Sequence, residues 1–172
     1  LKKRRKPFLL WKKIPWKAVR EKVNKKRRKK DYYTPNGEMG KRPDRCLIKY
    51  CHKLRSIYPN SNIIIGGIEA SLRRLSHYDY WSDSVHKSIL IDSKADILLY
   101  GMGEKTIVEV ADALNSGLDV KDIIYIRNTV WKTNDVNLLP YEHDELPSYN
   151  EVIKDKIISE WLFEKRVNES TK

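Results

Sequence analysis

Ile63-Ile64-Ile65-Gly66-Gly67-Ile68-Glu69-Ala70-Ser71 and Asp96-Ile97-Leu98-Leu99-Tyr100-Gly101-Met102-Gly103-Glu104-Lys105-Thr106 decide the fold of this chain. Each begins as a short apolar run and stops at a pair of glycines. Apolar runs of this length without polar alternation fit strands buried on both faces, the pattern of parallel sheets in α/β proteins. Glycine directly after such a strand marks a tight turn or a close backbone approach. Two such turns in one sheet lie on its carboxyl edge, where open α/β sheets bind ligands. A Gly-x-Gly turn into a helix N-terminus also offers free N–H groups to an anion. Alone, it serves equally as a structural turn, with Glu104 complementing the helix dipole.

Outward from this stretch, helices alternate with strands. Leu47, Tyr50, Cys51, Leu54, Ile57 and Tyr58 recur at i, i+3, i+4, i+7 spacing, which predicts a helix over 43–58 with those residues as its buried face. Pro43 suits its first turn, and Pro59-Asn60 stops it. Residues 70–76 predict a helical turn carrying Arg73 and Arg74, either an anion clamp or a pair neutralised by acids of their own domain. His77-Tyr78-Asp79-Tyr80-Trp81-Ser82-Asp83 mixes rings with polar tips and suits a pocket wall or a domain contact. His77, Asp79, Asp83 and His86 do not follow a recognisable metal-ligand spacing. Ser82 or Asp83 is expected to cap a helix running to about Ile91. Ile107, Val108, Val110, Ala111 and Leu114 give the helix after Gly103, ended by Asn115-Ser116-Gly117. Residues 122–127 read as a third strand, and 128–134 as its return partner in a hairpin.

The 172 residues suffice for one domain with a core. The net charge of +12 is unevenly placed: residues 1–30 hold 16 Lys/Arg and a single acid, Glu21. The remainder is mildly acidic. Residues 1–30 therefore form a basic arm, with Trp11 and Trp16 between two Lys/Arg clusters. Two readings stand, a nucleic-acid-binding arm with stacking tryptophans or a solvated extension; no recognition module accompanies the arm. Residues 31–138 form the α/β domain. Residues 139–172 begin as a Pro- and acid-rich linker. Ser148 and Glu151 then form a capping box ahead of one amphipathic helix through Val152, Ile153, Ile157, Trp161 and Leu162. No apolar run reaches the roughly 20 residues of a membrane span, so the expected location is the cytoplasm. Cys46 and Cys51 are the only cysteines and read as free thiols rather than metal ligands. No Ser/His/Asp or Cys/His arrangement marks nucleophilic catalysis. An unpaired edge of a partial parallel sheet invites self-association.

The runs Asp31-Tyr32-Tyr33-Thr34-Pro35, Gly40-Lys41-Arg42-Pro43-Asp44-Arg45, Gly66 through Arg74, His77 through Asp83, Asp92 through Asp96 and Tyr100 through Glu104 resemble the YgiQ family of radical SAM proteins. The resemblance covers roughly residues 23–163 and lies ahead of that family's radical SAM barrel. It implies a partial doubly wound, Rossmann-type module similar to cobalamin-binding domains, whose cofactor pocket would fall on Gly66, Gly67, Ala70, Ser71, Gly101, Gly103 and Glu104. It implies a [4Fe–4S] cluster and S-adenosylmethionine on a downstream barrel, which would be this portion's partner, and cobalamin as a further candidate. This chain departs from the family in lacking both the Cys-x-x-x-Cys-x-x-Cys cluster motif and the Asp-x-His-x-x-Gly cobalt loop. It resembles a non-catalytic piece of a longer protein, with no cofactor expected on the chain itself and with residues 1–22 unlike the family's start.

Overall fold

The computed structural model describes residues 30–43, 45–79, 81–140, 142–154, 158 and 162. The basic arm therefore lies outside the described residues, Lys30 excepted, as do Trp161 and Phe163. In order the elements are α1 (Cys46–Ile57), β1 (Ile64–Ile65), α2 (Gly67–Leu72), β2 (His77–Asp79), β3 (Ser84–His86), α3 (Ile89–Ser93), β4 (Ile97–Leu99), α4 (Glu104–Asn115), β5 (Thr129–Val130) and α5 (Tyr149–Lys154), with short 3₁₀ turns between.

The two glycine-ended runs are neighbouring parallel strands, Ile64 opposite Ile97 and Ile65 opposite Leu98. Successive strand side chains point to opposite faces, and both faces are covered. Ile63, Ile65 and Leu98 pack with Cys51, Ala70, Ile89, Leu90 and Ala95. Ile97 and Leu99 pack with Val110, Ala113, Val120, Ile123 and Ile126, and Ile64 lies against them. Burying one such aliphatic side chain is worth roughly 1.5–3 kcal/mol, so these two layers outweigh exposed ion pairs such as Lys105–Glu109, worth about 0–1 kcal/mol.

Several expectations need correction. The sheet is mixed: its order is β1-β4-β5, and β5 runs antiparallel to β4. Residues 122–127 are not a strand. A 3₁₀ turn at Val120–Asp122, capped by the Asp119 carboxylate, leads instead into a turn in which the Thr129 hydroxyl donates to the Ile126 carbonyl. Ile123 and Ile126 still bury their side chains there. The pairing falls to the expected return segment, at Thr129–Val130. The helix expected from Ser82 or Asp83 is a hairpin, β2 paired with β3, followed by the short α3. Asp83 takes a left-handed φ of 51° at the bend, and Ser88 supplies the cap through Leu90 N. The first helix begins at Cys46 rather than Pro43, and only Cys51 of its apolar stripe is buried.

The capping box is present: the Ser148 amide donates to Glu151 Oε2 at 2.7 Å, and the Glu151 amide to Ser148 Oγ at 3.4 Å. Val152 is fully buried, and the Tyr149 hydroxyl donates to the Val85 carbonyl, so α5 docks on β3. No helix among the described residues is long and apolar enough to cross a membrane.

A polar clamp fixes the heads of the two parallel strands. Asp96 Oδ2 accepts from the Ile63 amide at 2.8 Å and from Arg55 Nη2 at 2.7 Å. The Asp96 amide donates back to the Ile63 carbonyl. Arg55 also donates to the carbonyls of Pro59, Ser61 and Lys94. Asp96→Ala leaves the Ile63 amide without its acceptor and takes from the Arg55 guanidinium its charged partner, and we expect a loss of about 2–3 kcal/mol in chemical unfolding. Asp96→Asn, which keeps an oxygen acceptor, should lose less.

Candidate functional site

At the carboxyl ends of β1 and β4 the chain makes two turns side by side. After Ile65, Gly66 is extended and Gly67 takes a φ of +81°; after Tyr100, Gly101 takes a φ of +73°. Those two positions lie in the left-handed region that side chains rarely adopt. Gly66 and Gly103 have no such backbone need. A Cβ at Gly66 would stand 3.5 Å from the Leu99 carbonyl oxygen, an ordinary contact, while Cβ atoms at Gly67, Gly101 and Gly103 would meet nothing within 4 Å. The turns thus border open space.

The structure brings the seven sequence-selected residues to this one edge. Ser71 joins the turns, its hydroxyl accepting from the Gly101 amide at 3.3 Å. Ala70 is fully buried beneath them and supports rather than faces the opening. Gly103 caps α4, and exposed Glu104 occupies its first turn. The Tyr100 amide donates to the Asn128 carbonyl and closes the third side. Ile68 and Met102 stand 81% and 80% exposed beside the glycines.

Of the two arginines after α2, neither is an outward clamp. Arg73 pairs with Glu69 one helical turn back. Arg74 is buried, with its guanidinium 4.7 Å above the Tyr100 ring and Nη1 donating to the Ser71 carbonyl. It braces the edge from beneath by a cation–π contact. Next to the edge, sharing Met102 with it, an open groove of about 870 Å³ runs between α4 and Tyr125–Asn128. Its wall carries Lys105, Glu109, Asp112 and Arg127.

A second polar cluster lies on the β2–β3 hairpin. Asp79 Oδ2 accepts from Arg45 Nη2 at 2.8 Å and from the Ser82 hydroxyl at 2.6 Å. The Arg45 guanidinium also lies against the His86 ring, Nη2 3.0 Å from Nε2. Ser82 and Ser84 hydroxyls reach the same Nε2 at 3.1 and 3.2 Å. The acidic and hydroxyl partners of a Ser/His/Asp set thus meet in space, but in the wrong order. The carboxylate accepts the serine hydroxyl's hydrogen bond, which a triad would direct to the imidazole, so Ser82 is not activated. His77 and His86 face each other across the hairpin, their ring centroids 5.8 Å apart, while Asp83 accepts from the Tyr78 hydroxyl. Among the described residues no group of three such side chains is placed to hold a metal ion. The signal missed in the sequence is period-two: His77, Asp79, Ser82, Ser84 and His86 alternate with other residues, as one face of a hairpin does.

Burial pushes the His86 imidazole below its ordinary value, and the neighbouring Arg45 charge lowers it further against the pull of Asp79. Burial works to raise the Asp79 carboxyl, but hydrogen bonds from the Ser82 hydroxyl and amide, with Arg45, bring it below the carboxylate range. Both groups bind protons less readily folded than unfolded, so both make stability rise with pH. Stability should hold above pH of about 6.5 and decline as pH falls below it, when the unfolded chain protonates His86 first. A second decline follows below about pH 4 from Asp79. Thermal melts from about pH 2 to 8 check this, a range that brackets the ordinary values of roughly 4 and 6.5. His86→Asn should flatten the upper limb, and an unchanged limb in that variant contradicts the assignment.

Residues 19–171 match the model of the family described as Radical SAM N-terminal. A UPF0313 protein of Clostridium perfringens is 60% identical over 134 residues, which are 78% of this chain and 20% of the relative. A UPF0313 protein of Clostridium botulinum is 50% identical over 134 residues, 78% of this chain and 21% of the relative. The chain thus spans about a fifth of the length of the curated relatives it matches. No solved structure matches it. Neither these relatives nor the described residues add support for a nucleic-acid role of residues 1–30.

Proposed function

The chain belongs to the Radical SAM N-terminal family, and from that premise we propose that it is the non-catalytic N-terminal portion of a radical SAM enzyme. Its carboxyl-edge turns would face the catalytic barrel supplied by the rest of the polypeptide. The observation that supports this reading best is the uncovered edge itself. Two left-handed glycines and Gly103 leave open space above the strand ends, and Ile68 and Met102 offer exposed apolar surface beside it. The relatives' remaining four-fifths provides the mass to cover it.

The cofactors follow the same division. Bound on the barrel, an iron–sulfur cluster and S-adenosylmethionine would supply the radical chemistry. The residues of this chain do not fit a cluster: it needs three thiolates on one iron–sulfur core, whereas Cys51 is buried and the Cys46 thiol donates to the Pro43 carbonyl. Burial also raises the Cys51 thiol above its ordinary value. For cobalamin the fit is partial. The space over the glycines suits a slender ligand tail, but neither turn carries a histidine to reach cobalt. The doubly wound, Rossmann-like version of the fold requires further parallel strands beyond β1, which the same polypeptide would have to supply.

The test uses the full-length C. perfringens relative, reconstituted anaerobically with iron and sulfide and given S-adenosylmethionine and a reductant. The expected result is 5′-deoxyadenosine from the full-length protein and none from the 172-residue chain. Replacing the residue that corresponds to Met102 with Glu should depress that yield without lowering the melting temperature of the chain alone. A full-length protein that never holds a cluster, or a lone chain that cleaves S-adenosylmethionine, would overturn the reading.

A further inference from the structure

The apolar stripe of α1 is wider than the surface that covers it. Leu47, Ile48, Cys51 and Arg55 turn inward, toward the core layer and the Asp96 clamp. Tyr50, Leu54 and Ile57, at i, i+4 and i+7, form a second ridge on the same helix. They are 58%, 46% and 52% exposed, and Tyr58 just beyond the helix is 58% exposed. Lys49 and Lys53 border this ridge as exposed charge, in the manner of an interface rim. Among the described residues α1 makes its main helix contact with α3 alone, and this second ridge stays exposed.

The side on which the second neighbour belongs follows from layer order. α1 packs on α3. α3 leads into β4, and α1 leads into β1, so the helix order α3–α1 follows the strand order β4–β1. The ridge of α1 away from α3 accordingly looks beyond the sheet. There β1 ends the order β1-β4-β5, with no strand paired to its outer side among the described residues. A helix that enters a parallel strand packs across that strand and the strand it came from.

We propose that the Tyr50/Leu54/Ile57 ridge and the outer edge of β1 together seat a further strand-containing segment of the same polypeptide, which extends the sheet past β1. This rests on the reading of the chain as a portion of a longer radical SAM protein. The required chemistry is an extended segment that donates ladder hydrogen bonds to β1 and sets apolar side chains against the ridge, as in strand addition. A second copy of the chain is the weaker occupant. Four half-exposed side chains offer on the order of 400 Å² of contact, against the roughly 800 Å² per partner of a stable pair. A covalently joined segment needs far less, because its effective concentration is high.

The experiment compares tyrosine labelling in the 172-residue chain with labelling in the full-length C. perfringens relative carrying this chain in place of its corresponding stretch. Tyr50 and Tyr58 should label readily in the chain at every concentration and roughly tenfold or more slowly in the chimera, as burial at a packed interface demands. Leu54→Glu should restore labelling in the chimera while leaving the lone chain's melting temperature unchanged. Should the chimera not fold, amide hydrogen exchange of the β1 strand in the lone chain and of the corresponding strand in the native relative gives the comparison: slower exchange in the relative is expected, and equal exchange overturns the proposal. Equal labelling in the short and long proteins overturns the proposal, and so does protection that appears in the chain alone as its concentration rises. Absorbance of the iron–sulfur cluster reports separately: protected tyrosines in a protein without a cluster would sink the enzymatic reading and leave this one standing.

Discussion

A single carboxylate fixes the heads of two very short strands, and the rest of the edge depends on it. β1 has two residues and β4 three, too few ladder bonds to hold a register unaided. Asp96 adds to the ladder at its head: its amide and its Oδ2 pair with the carbonyl and the amide of Ile63, while Arg55 draws in the end of α1. A one-residue slip would exchange the two faces of β4. It would drive Leu98 out of the layer of Ile89 and Leu90 and into that of Val110 and Ile123. With the register held, Ile65 and Leu98 lie opposite each other and both glycine turns emerge at the same height.

From that alignment the site geometry follows. Ser71 can reach the Gly101 amide only because its helix starts where β1 stops, beside the end of β4. Arg74 then fits beneath Tyr100, filling with a stacked guanidinium what would otherwise be a polar gap under the turn. The outer surface of the edge is left apolar and open, with Ile68 and Met102 exposed. On the proposed reading this surface receives the remaining polypeptide, and the outer ridge of α1 is proposed as a second such place.

The sequence was legible where one local signal sufficed. Unbroken apolar runs before glycine pairs identified β1 and β4 as strands covered on both faces, and the Ser148–Glu151 pairing identified the start of α5. It misled where neighbouring segments compete. Ile123 and Ile126 are apolar and buried, which suggested a strand, yet the Asp119 cap and the left-handed Asn128 turn the backbone away from the sheet. Residues 84–86 could extend a helix from Ser82 or close a hairpin with residues 77–79. Arg45, distant in sequence, favours the hairpin by binding Asp79 and His86 from both strands. Tyr50, Leu54 and Ile57 were expected inside because apolar spacing reports how much of a helix wants cover, not how much of that cover the described residues supply.

The adjacency of the two glycine turns is the claim on which the fold, the edge and the family-based function all converge. A nitroxide attached through Met102→Cys, with Cys46→Ser to leave one reactive exposed thiol, tests it by paramagnetic broadening in an amide NMR spectrum. Strong broadening of the Gly66–Ser71 amides, with those of α5 far less affected, is the predicted result. Sharp Gly66–Ser71 resonances beside a labelled position 102 would show that the turns do not share an edge.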